Sequence, residues 1–377
     1  MMSEGDAVLL RLAIGVWSTV RKTAGRIGEF RFLQKLRDSK NAAHRSMSRT
    51  LTYPHFFWQF REGVAQDVFL VRFRSKLYTL PIFSKKSSMI TTKILGGLGN
   101  QFFQYALGRR MALAEGSELR LDLSDFKTYF RPYFLDRFAI QAKPLTDQEA
   151  AFYRRYQGRF SISRWLEACK SLRQRQYREE KPAHFFHYLP DVLKTQAKPV
   201  YLSGYWQHAA YFEPIRERLV QELSLLPEHQ LPATHPLLQR LEEKEVIAVH
   251  FRRGDYQQTA HGILGNEYYI KAVDKLLQQR PNAELYLFSN EIDWVKQNIS
   301  FDAPVTYIAQ EFGLKDYQEF DLMRRCQHQI IANSTFSWWA AWLNPSPSKI
   351  VFTPKKWLAT LDSEASGLIL PSWNTIT

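Results

Sequence analysis

Two hydrophobic spacings alternate along the second half of this chain. Lys244–Phe251, Glu284–Ser289, His328–Ala332 and Lys349–Phe352 are short, largely apolar runs, the pattern of strands buried on both faces. Between the first two, Asn266–Arg280 sets Tyr269, Ala272, Val273, Leu276 and Leu277 at three- and four-residue intervals, the stripe of an amphipathic helix. Asp316 and Glu319 have the spacing of a capping box and open another helix before His328, and a tryptophan-rich helix follows Asn333. Nearer the N-terminus, a strand over about Ile90–Leu95 meets a glycine-rich turn. A helix then carries Phe102, Phe103, Ala106, Leu107, Leu113 and Ala114 on one stripe to about Gly116, and Leu119–Leu123 alternates as the next strand. Strands alternating with helices predict parallel sheets covered on both faces, with ligands at the carboxyl ends of the strands.

At 377 residues the chain has room for two such units. The proline-bearing stretch Leu226–Pro236 reads as the linker. Residues 89–230 then form one Rossmann-like domain with a helical insert over Gln148–Lys198, and residues 237–377 form the other.

Charge changes the picture at the N-terminus. Residues 1–88 hold 16 Lys and Arg against 6 Asp and Glu, a net of +10, while the remaining 35 against 31 supply only +4 of the total of +14. The apolar run Val8–Val20 is interrupted by Arg11 and falls short of the roughly 20 residues that span a bilayer. Met1–Asp6 lacks the positive flank of a secretory signal. The extension is expected to be a basic segment of helical character that either meets anionic membrane peripherally or carries little function. Its charge would also suit nucleic acid, yet no zinc-finger or RNA-recognition pattern accompanies it, so no nucleic-acid partner is expected. Cys169 and Cys326 are isolated and the ten histidines do not cluster at ligand spacing. Neither a disulfide framework nor a zinc site is expected, and the compartment reads as cytoplasmic, at the inner face of the membrane if the extension docks there.

Candidate chemistry lies at three places. Val246–Tyr256 ends its apolar strand in His250, Arg252, Arg253, Gly254 and Asp255. A guanidinium fork holds two phosphate oxygens at once, which a lysine point charge does not, so paired arginines at a strand end suit a diphosphate. Strand alternation puts His250 and Arg252 on one side and Phe251 and Arg253 on the other, so the arginines are not equivalent. Arg253 either reaches the same ligand through a turn at Gly254 or serves the scaffold, and Asp255 can orient one of the two. Second, Gly97, Gly99, Asn100 and Gln101 form a turn whose glycines bring backbone N–H groups to a ligand at a helix N-terminus, or simply close a tight turn. It is not a complete dinucleotide fingerprint, because Phe102 stands in the third glycine's place. Third, Asn333, Ser334, Thr335 and Ser337 can cap the following helix and offer hydroxyls and an amide to an anion at its positive end. Trp338, Trp339 and Trp342 read as helix packing.

Taken in order, Gly96–Ala106, His250–Tyr256 and Asn333–Leu343 resemble the G-G-L-G-N-Q-x-F-Q-Y-A, H-x-R-R-G-D-Y and N-S-T-F-S-W-W-A-A-W-L segments of the α-1,2-fucosyltransferase family. Leu202–His208, Phe288–Glu291 and Pro354–Trp357 extend the resemblance from Met89 to the C-terminus. It implies an α/β fold of two Rossmann-like domains facing a cleft, the GT-B type, with the donor mainly on the C-terminal domain. It also implies transfer of L-fucose from GDP-β-L-fucose to the 2-hydroxyl of a galactose in an acceptor glycan, with inversion. On that resemblance His250, Arg252 and Arg253 contact GDP-fucose, together with the glycine turn and the Asn333–Ser337 segment, and Arg252 neutralises the leaving diphosphate. Asp255 is the first candidate for the general base that inversion needs. An arginine beside it would depress its pKa, so another weakly basic carboxylate or hydrogen bonding from the Gly97–Gln101 loop stays open. No Asp-x-Asp pair is present, so no metal cofactor is expected. Asn290-Glu291 departs from the paired aspartates common in relatives. A fucosyltransferase of another linkage, or a glycan or nucleotide binder without turnover, are the alternatives, and acceptor contacts are expected on Thr128–Arg137 and the insert.

Overall fold

The computed structural model describes residues 89–156, 161–254, 262–358, 361–362 and 367–376, together with the backbone of four strands between residues 50 and 81. The chain divides into two compact units, residues 1–84 and 85–377. In the first, β1 (Thr50–Tyr53), β2 (Phe56–Gln59), β3 (Val68–Phe73) and β4 (Lys76–Pro81) pair antiparallel in sequence order. Over this stretch the helical character expected of residues 1–88 is corrected. Val68–Phe73 and Lys76–Pro81 are rich in β-branched and aromatic residues and are separated by only Arg74 and Ser75, a hairpin pattern that the basic composition obscured. The apolar run Val8–Val20 lies outside the described residues.

The second unit begins with β5 (Met89–Lys93), α1 (Leu98–Glu115), β6 (Glu118–Asp122), β7 (Lys143–Pro144), α2 (Asp147–Tyr153), α3 (Ile162–Ala168), β8 (Tyr177–Glu179), β9 (Val200–Ser203) and α4 (Arg216–Glu222). Its strands form an all-parallel sheet in the order β7-β6-β5-β9-β8. Gly116 ends α1 in the left-handed region, φ +58°, the conformation only glycine adopts without cost at a helix C-terminus. The apolar stripe read from α1 is too narrow. Gln101, Gln104 and Tyr105 are buried as well, because the helix is packed on more than one side. Glu222 of α4 accepts from the Tyr105 hydroxyl at 2.5 Å and from Arg109 at 2.6 Å, so the buried polar groups of α1 are paired.

The remaining elements are α5 (Pro236–Glu243), β10 (Val246–Phe251), α6 (Asn266–Gln279), β11 (Glu284–Ser289), α7 (Ile292–Asn298), β12 (Val305–Ile308), α8 (Asp316–Arg325), β13 (His328–Ile330), α9 (Thr335–Leu343) and β14 (Val351–Pro354). The small antiparallel pair β15 (Lys356–Leu358) and β16 (Leu361–Asp362) precedes the last strand, β17 (Asn374–Ile376). This sheet is also parallel throughout, in the order β12-β11-β10-β13-β14-β17. Relabelled by chain order, that is the 3-2-1-4-5-6 order of a Rossmann sheet. The expected pair of parallel-sheet α/β halves is therefore present. The capping box of α8 forms one residue earlier than Asp316–Glu319: the Lys315 N–H donates to Gln318 Oε1 at 3.0 Å, and Asp316 is already helical. No helix among the described residues is long and apolar enough to cross a membrane.

Candidate active site

The order of the second sheet reverses between β10 and β13, and open parallel sheets bind ligands in the crevice outside such a reversal. Along β10, Ile247, Val249 and Phe251 pack into the core beneath α6, while Val246 and Ala248 share the opposite core. His250 follows the second set. It is 5 % exposed, its ring stands 5.7 Å from Phe336 in the first turn of α9, and its Nδ1 makes no hydrogen bond among the described residues. Burial first, and then the neighbouring Arg252, push its pKa from 6.5 down to about 3. His250 is thus a neutral imidazole at working pH, offering one donor and one acceptor rather than a charge or a well-matched base. Tyr269 stacks on Phe251 at 3.9 Å and bonds to the Arg252 backbone, which fixes the end of the strand beside the half-buried Arg252 side chain.

Arg253 takes the other side. Its guanidinium carbon lies 3.2 Å from the centre of the Trp294 ring, its Nε donates to Glu291 at 3.1 Å, and its backbone N–H donates to Asn290 Oδ1 at 3.1 Å. The Nε and the flat face of the guanidinium expected to touch a donor are held by Glu291 and Trp294, an aromatic and ion-pair clamp that strand alternation permits because Arg253 points to the α6–α7 face. Gly254 then turns with φ +47°, where a Cβ would stand 2.4 Å from Asn290 Nδ2. Asp255 lies outside the described residues.

Two more donor candidates also bond to the scaffold. Asn333 Nδ2 donates to the carbonyls of Gly262 and Trp357, and the buried Ser337 hydroxyl donates to the Ser334 carbonyl at 3.3 Å. Ser334 and Thr335 remain at the start of α9, where unsatisfied N–H groups favour an anion. Trp338, Trp339 and Trp342 are fully buried and pack the helix.

The glycine turn meets that helix directly. A Cβ on Gly99 would lie 2.4 Å from the Thr335 carbonyl carbon and 2.6 Å from its Oγ1, so the first turns of α1 and α9 touch backbone to backbone. Below them Phe102 and Phe103 pack on Trp338 and Trp339 with ring centres 4.9–5.7 Å apart. Gly97 caps α1 with an ordinary φ of −72°. Asn100 Oδ1 accepts from Gln207 at 2.9 Å, which joins the turn to the segment after β9. Gln101 is fully buried: its amide donates to the Gly96 and Pro132 carbonyls, and its oxygen accepts from the Phe134 N–H, all at 3.0 Å. It braces the 132–134 loop: both amide hydrogens are bonded within the protein, so what it can still offer a donor is a lone pair on its oxygen.

Sequence reasoning missed Glu291 and Trp294 as the partners of Arg253, although the departure from paired aspartates at 290–291 marked the place. It also missed two carboxyls. Glu319 in the first turn of α8 is pushed up to about 7 by burial and then by Asp316, and burial raises Glu180 after β8. The sequence marks Glu319 only as part of a capping box, and Glu180 lies in no recognisable motif. Among the described residues no group of three or more His, Cys, Asp or Glu is placed to hold a metal ion.

Comparison with known proteins shows the family. Residues 58–377 match the model of glycosyl transferase family 11, beginning within β2 and so ahead of Met89. Two Escherichia coli proteins are similar over most of their length. An α-1,2-colitosyltransferase is 28% identical over 297 residues, 72% of this chain and 92% of that protein. The O-antigen biosynthesis glycosyltransferase WbnK is 30% identical over 302 residues, 74% of this chain and 97% of that protein. A galactoside α-(1,2)-fucosyltransferase 1 of Aotus azarae is 28% identical over 155 residues, 38% of this chain and 42% of that one. Among solved structures, the fucosyltransferase NodZ from Bradyrhizobium is a distant likeness, with a TM-score of 0.39 at 14% identity, covering 69% of this chain and 94% of that one.

Proposed function

The chain belongs to glycosyl transferase family 11, and from that premise we propose that it transfers L-fucose from GDP-β-L-fucose to the 2-hydroxyl of a galactose in an acceptor glycan, with inversion and without a metal. The observation that carries this reading is the meeting of three distant segments. His250 and Arg252 end β10 at the reversal of the second sheet, the first turn of α9 follows the neighbouring strand, and the glycine turn packs on that helix at Thr335. Two helix N-termini and a guanidinium at one strand-end crevice suit a diphosphate.

In the proposed reaction the acceptor oxygen attacks the anomeric carbon as the bond to the β-phosphate breaks, and GDP departs with the electron pair. Arg252 meets the charge that develops on the diphosphate, the task a divalent cation performs where an Asp-x-Asp pair holds one. Neutral His250, with an unsatisfied Nδ1, hydrogen-bonds the donor without competing for that charge. The acceptor proton goes to a carboxylate, and Asp255 keeps that assignment. Contact of the basic residues 1–88 with anionic membrane stands as a proposal of its own.

The similarity to an α-1,2-colitosyltransferase favours a second reading, in which the donor sugar is colitose, a fucose lacking its 3-hydroxyl. Turnover of GDP-fucose, GDP-colitose, GDP-mannose and UDP-galactose in excess EDTA separates these. The expected result is preference for GDP-fucose, unaffected by EDTA. Preference for GDP-colitose selects the second reading, a UDP donor removes both, and loss of activity in EDTA with rescue by Mn²⁺ removes the metal-free step.

A further inference from the structure

The first sheet has a crevice of its own. Its order reverses between β5 and β9, and at the carboxyl ends of β5, β8 and β9 lies a cavity of about 150 Å³ lined by Lys93, Gln104, Glu180, Phe185, Ser203 and Tyr205. A cavity of that size admits a six-membered ring. We propose that this cavity is the acceptor-sugar subsite, with Glu180 holding one of the sugar's hydroxyls; the assignment rests on the glycosyl-transfer reading above.

The cavity is built around a buried carboxylate. Glu180 is 7 % exposed, and its Oε2 accepts from the backbone N–H groups of Tyr205 at 2.7 Å and Trp206 at 3.0 Å. Gly204 is what lets the side chain come so close to the strand end, since a Cβ there would stand 2.4 Å from that of Glu180. Trp206 adopts φ +57°, a left-handed conformation that a bulky aromatic residue rarely takes, and it does so in the turn that aims these N–H groups at Glu180. Burial raises the Glu180 pKa, and no Lys or Arg among the described residues pairs with it. A buried carboxylate without a cation is a cost that folding alone does not require, and such groups concentrate at functional sites.

The lining chemistry suits a sugar rather than a nucleotide. Carboxylate and amide groups bond hydroxyls, and the Phe185 and Tyr205 rings, edge to face at 6.4 Å, offer an apolar wall to the C–H face of a pyranose. Of the charged lining groups, Glu179 is paired with Arg164 and Lys93 with Asp125, each at 2.8 Å, so Glu180 is left to set the sign and would repel a diphosphate. The cavity is also tied to the donor side. Gln207, two residues beyond Tyr205, donates to Asn100 in the glycine turn, and Gly99 of that turn touches Thr335.

The test uses the full chain with methyl β-D-galactopyranoside, measured by saturation-transfer NMR and as acceptor in turnover. The variants are Glu180→Gln and Phe185→Ala; the second side chain is partly exposed and holds no backbone, so its loss does not unfold the loop. Each variant, confirmed folded by its thermal midpoint, is expected to raise the acceptor KM by about 10- to 100-fold, the effect of one lost hydrogen bond to a charged group or a comparable packing contact. The GDP Kd and the rate of donor hydrolysis in water stay within about twofold. If GDP-fucose is not the donor, the NMR signal from the galactoside still decides, since it depends on the cavity alone. Unchanged acceptor KM in both folded variants, an NMR signal equal to that of the unsubstituted chain, or no galactoside signal from the unsubstituted chain overturns the assignment.

Discussion

Replacing Gly99 by alanine tests whether the seam between α1 and α9 sets the geometry of the site. Gly99 lies inside α1, where alanine is favoured over glycine by about 1 kcal/mol, so without a close neighbour the substitution would stabilise the protein. The added Cβ would instead sit 2.4 Å and 2.5 Å from the Thr335 carbonyl carbon and oxygen. Ordinary carbon contacts begin near ~3.5 Å, so the two helix starts must part by about 1 Å. Backbone cannot rotate away as a side chain can, and overpacking of this kind costs about 1–3 kcal/mol. In a unit the size of residues 85–377 that lowers the thermal midpoint by roughly 2–6 °C. The same displacement moves the glycine turn relative to Ser334 and Thr335, and a shift of 1 Å in a positioned site can reduce turnover by about 100-fold. Calorimetry and kcat at saturating donor measure both effects. Gly97→Ala is the stability control, because its Cβ would meet only the Arg131 side chain at 3.7 Å. A Gly99→Ala protein with a raised midpoint and normal kcat refutes the seam.

The other predictions are briefer. Arg252→Lys keeps the charge and loses the fork, and is expected to lower kcat by about two to three decades at an unchanged thermal midpoint. Arg253→Lys, which disturbs the Glu291 pair and the Trp294 stack, is expected to lower the midpoint while kcat stays within about threefold; the opposite pattern would exchange their roles. His250 has a folded pKa of about 3 against 6.5 unfolded, so the unfolded state binds the extra proton between those values. Its contribution is complete above about pH 6.5 and is lost as pH falls toward 3, with an upper bound of about 4–5 kcal/mol. His250→Gln should flatten that acid limb in midpoint-against-pH scans, and an unchanged slope contradicts the assignment. A chain beginning at Met89 should fold and bind GDP, since residues 85–377 form their own compact unit, and should lose affinity for anionic vesicles; failure to fold would make residues 1–84 part of the catalytic body.

Periodicity exposed the parallel sheets because their strands are buried on both faces and bounded by helices of regular stripe, and β10, α6 and β11 lie within two residues of their expected ends. Alternation along β10 separated Arg252 from Arg253 before any coordinate did. What it could not say is which arginine the scaffold would claim, because Glu291 and Trp294 lie some forty residues downstream and reach Arg253 only through the pairing of β10 with β11. Gln101 shows the same limit from the other side. A motif names an amide at a turn, and only the fold reveals that it is bonded to the Pro132 carbonyl and the Phe134 N–H. The Glu180 cavity was illegible for a related reason: its parts come from three strand ends, α1 and a short irregular insert, stretches scattered between residues 93 and 205.

The central claim is a transfer of fucose to one hydroxyl of one sugar, and the product states it directly. The purified chain is incubated with GDP-fucose and a β-galactoside acceptor, and the product is examined by linkage analysis and by NMR of the anomeric proton. The account predicts a single α-L-fucosyl residue on O-2 of galactose. Fucose on another oxygen, a β-linked product, or no transfer beside intact donor binding would contradict it.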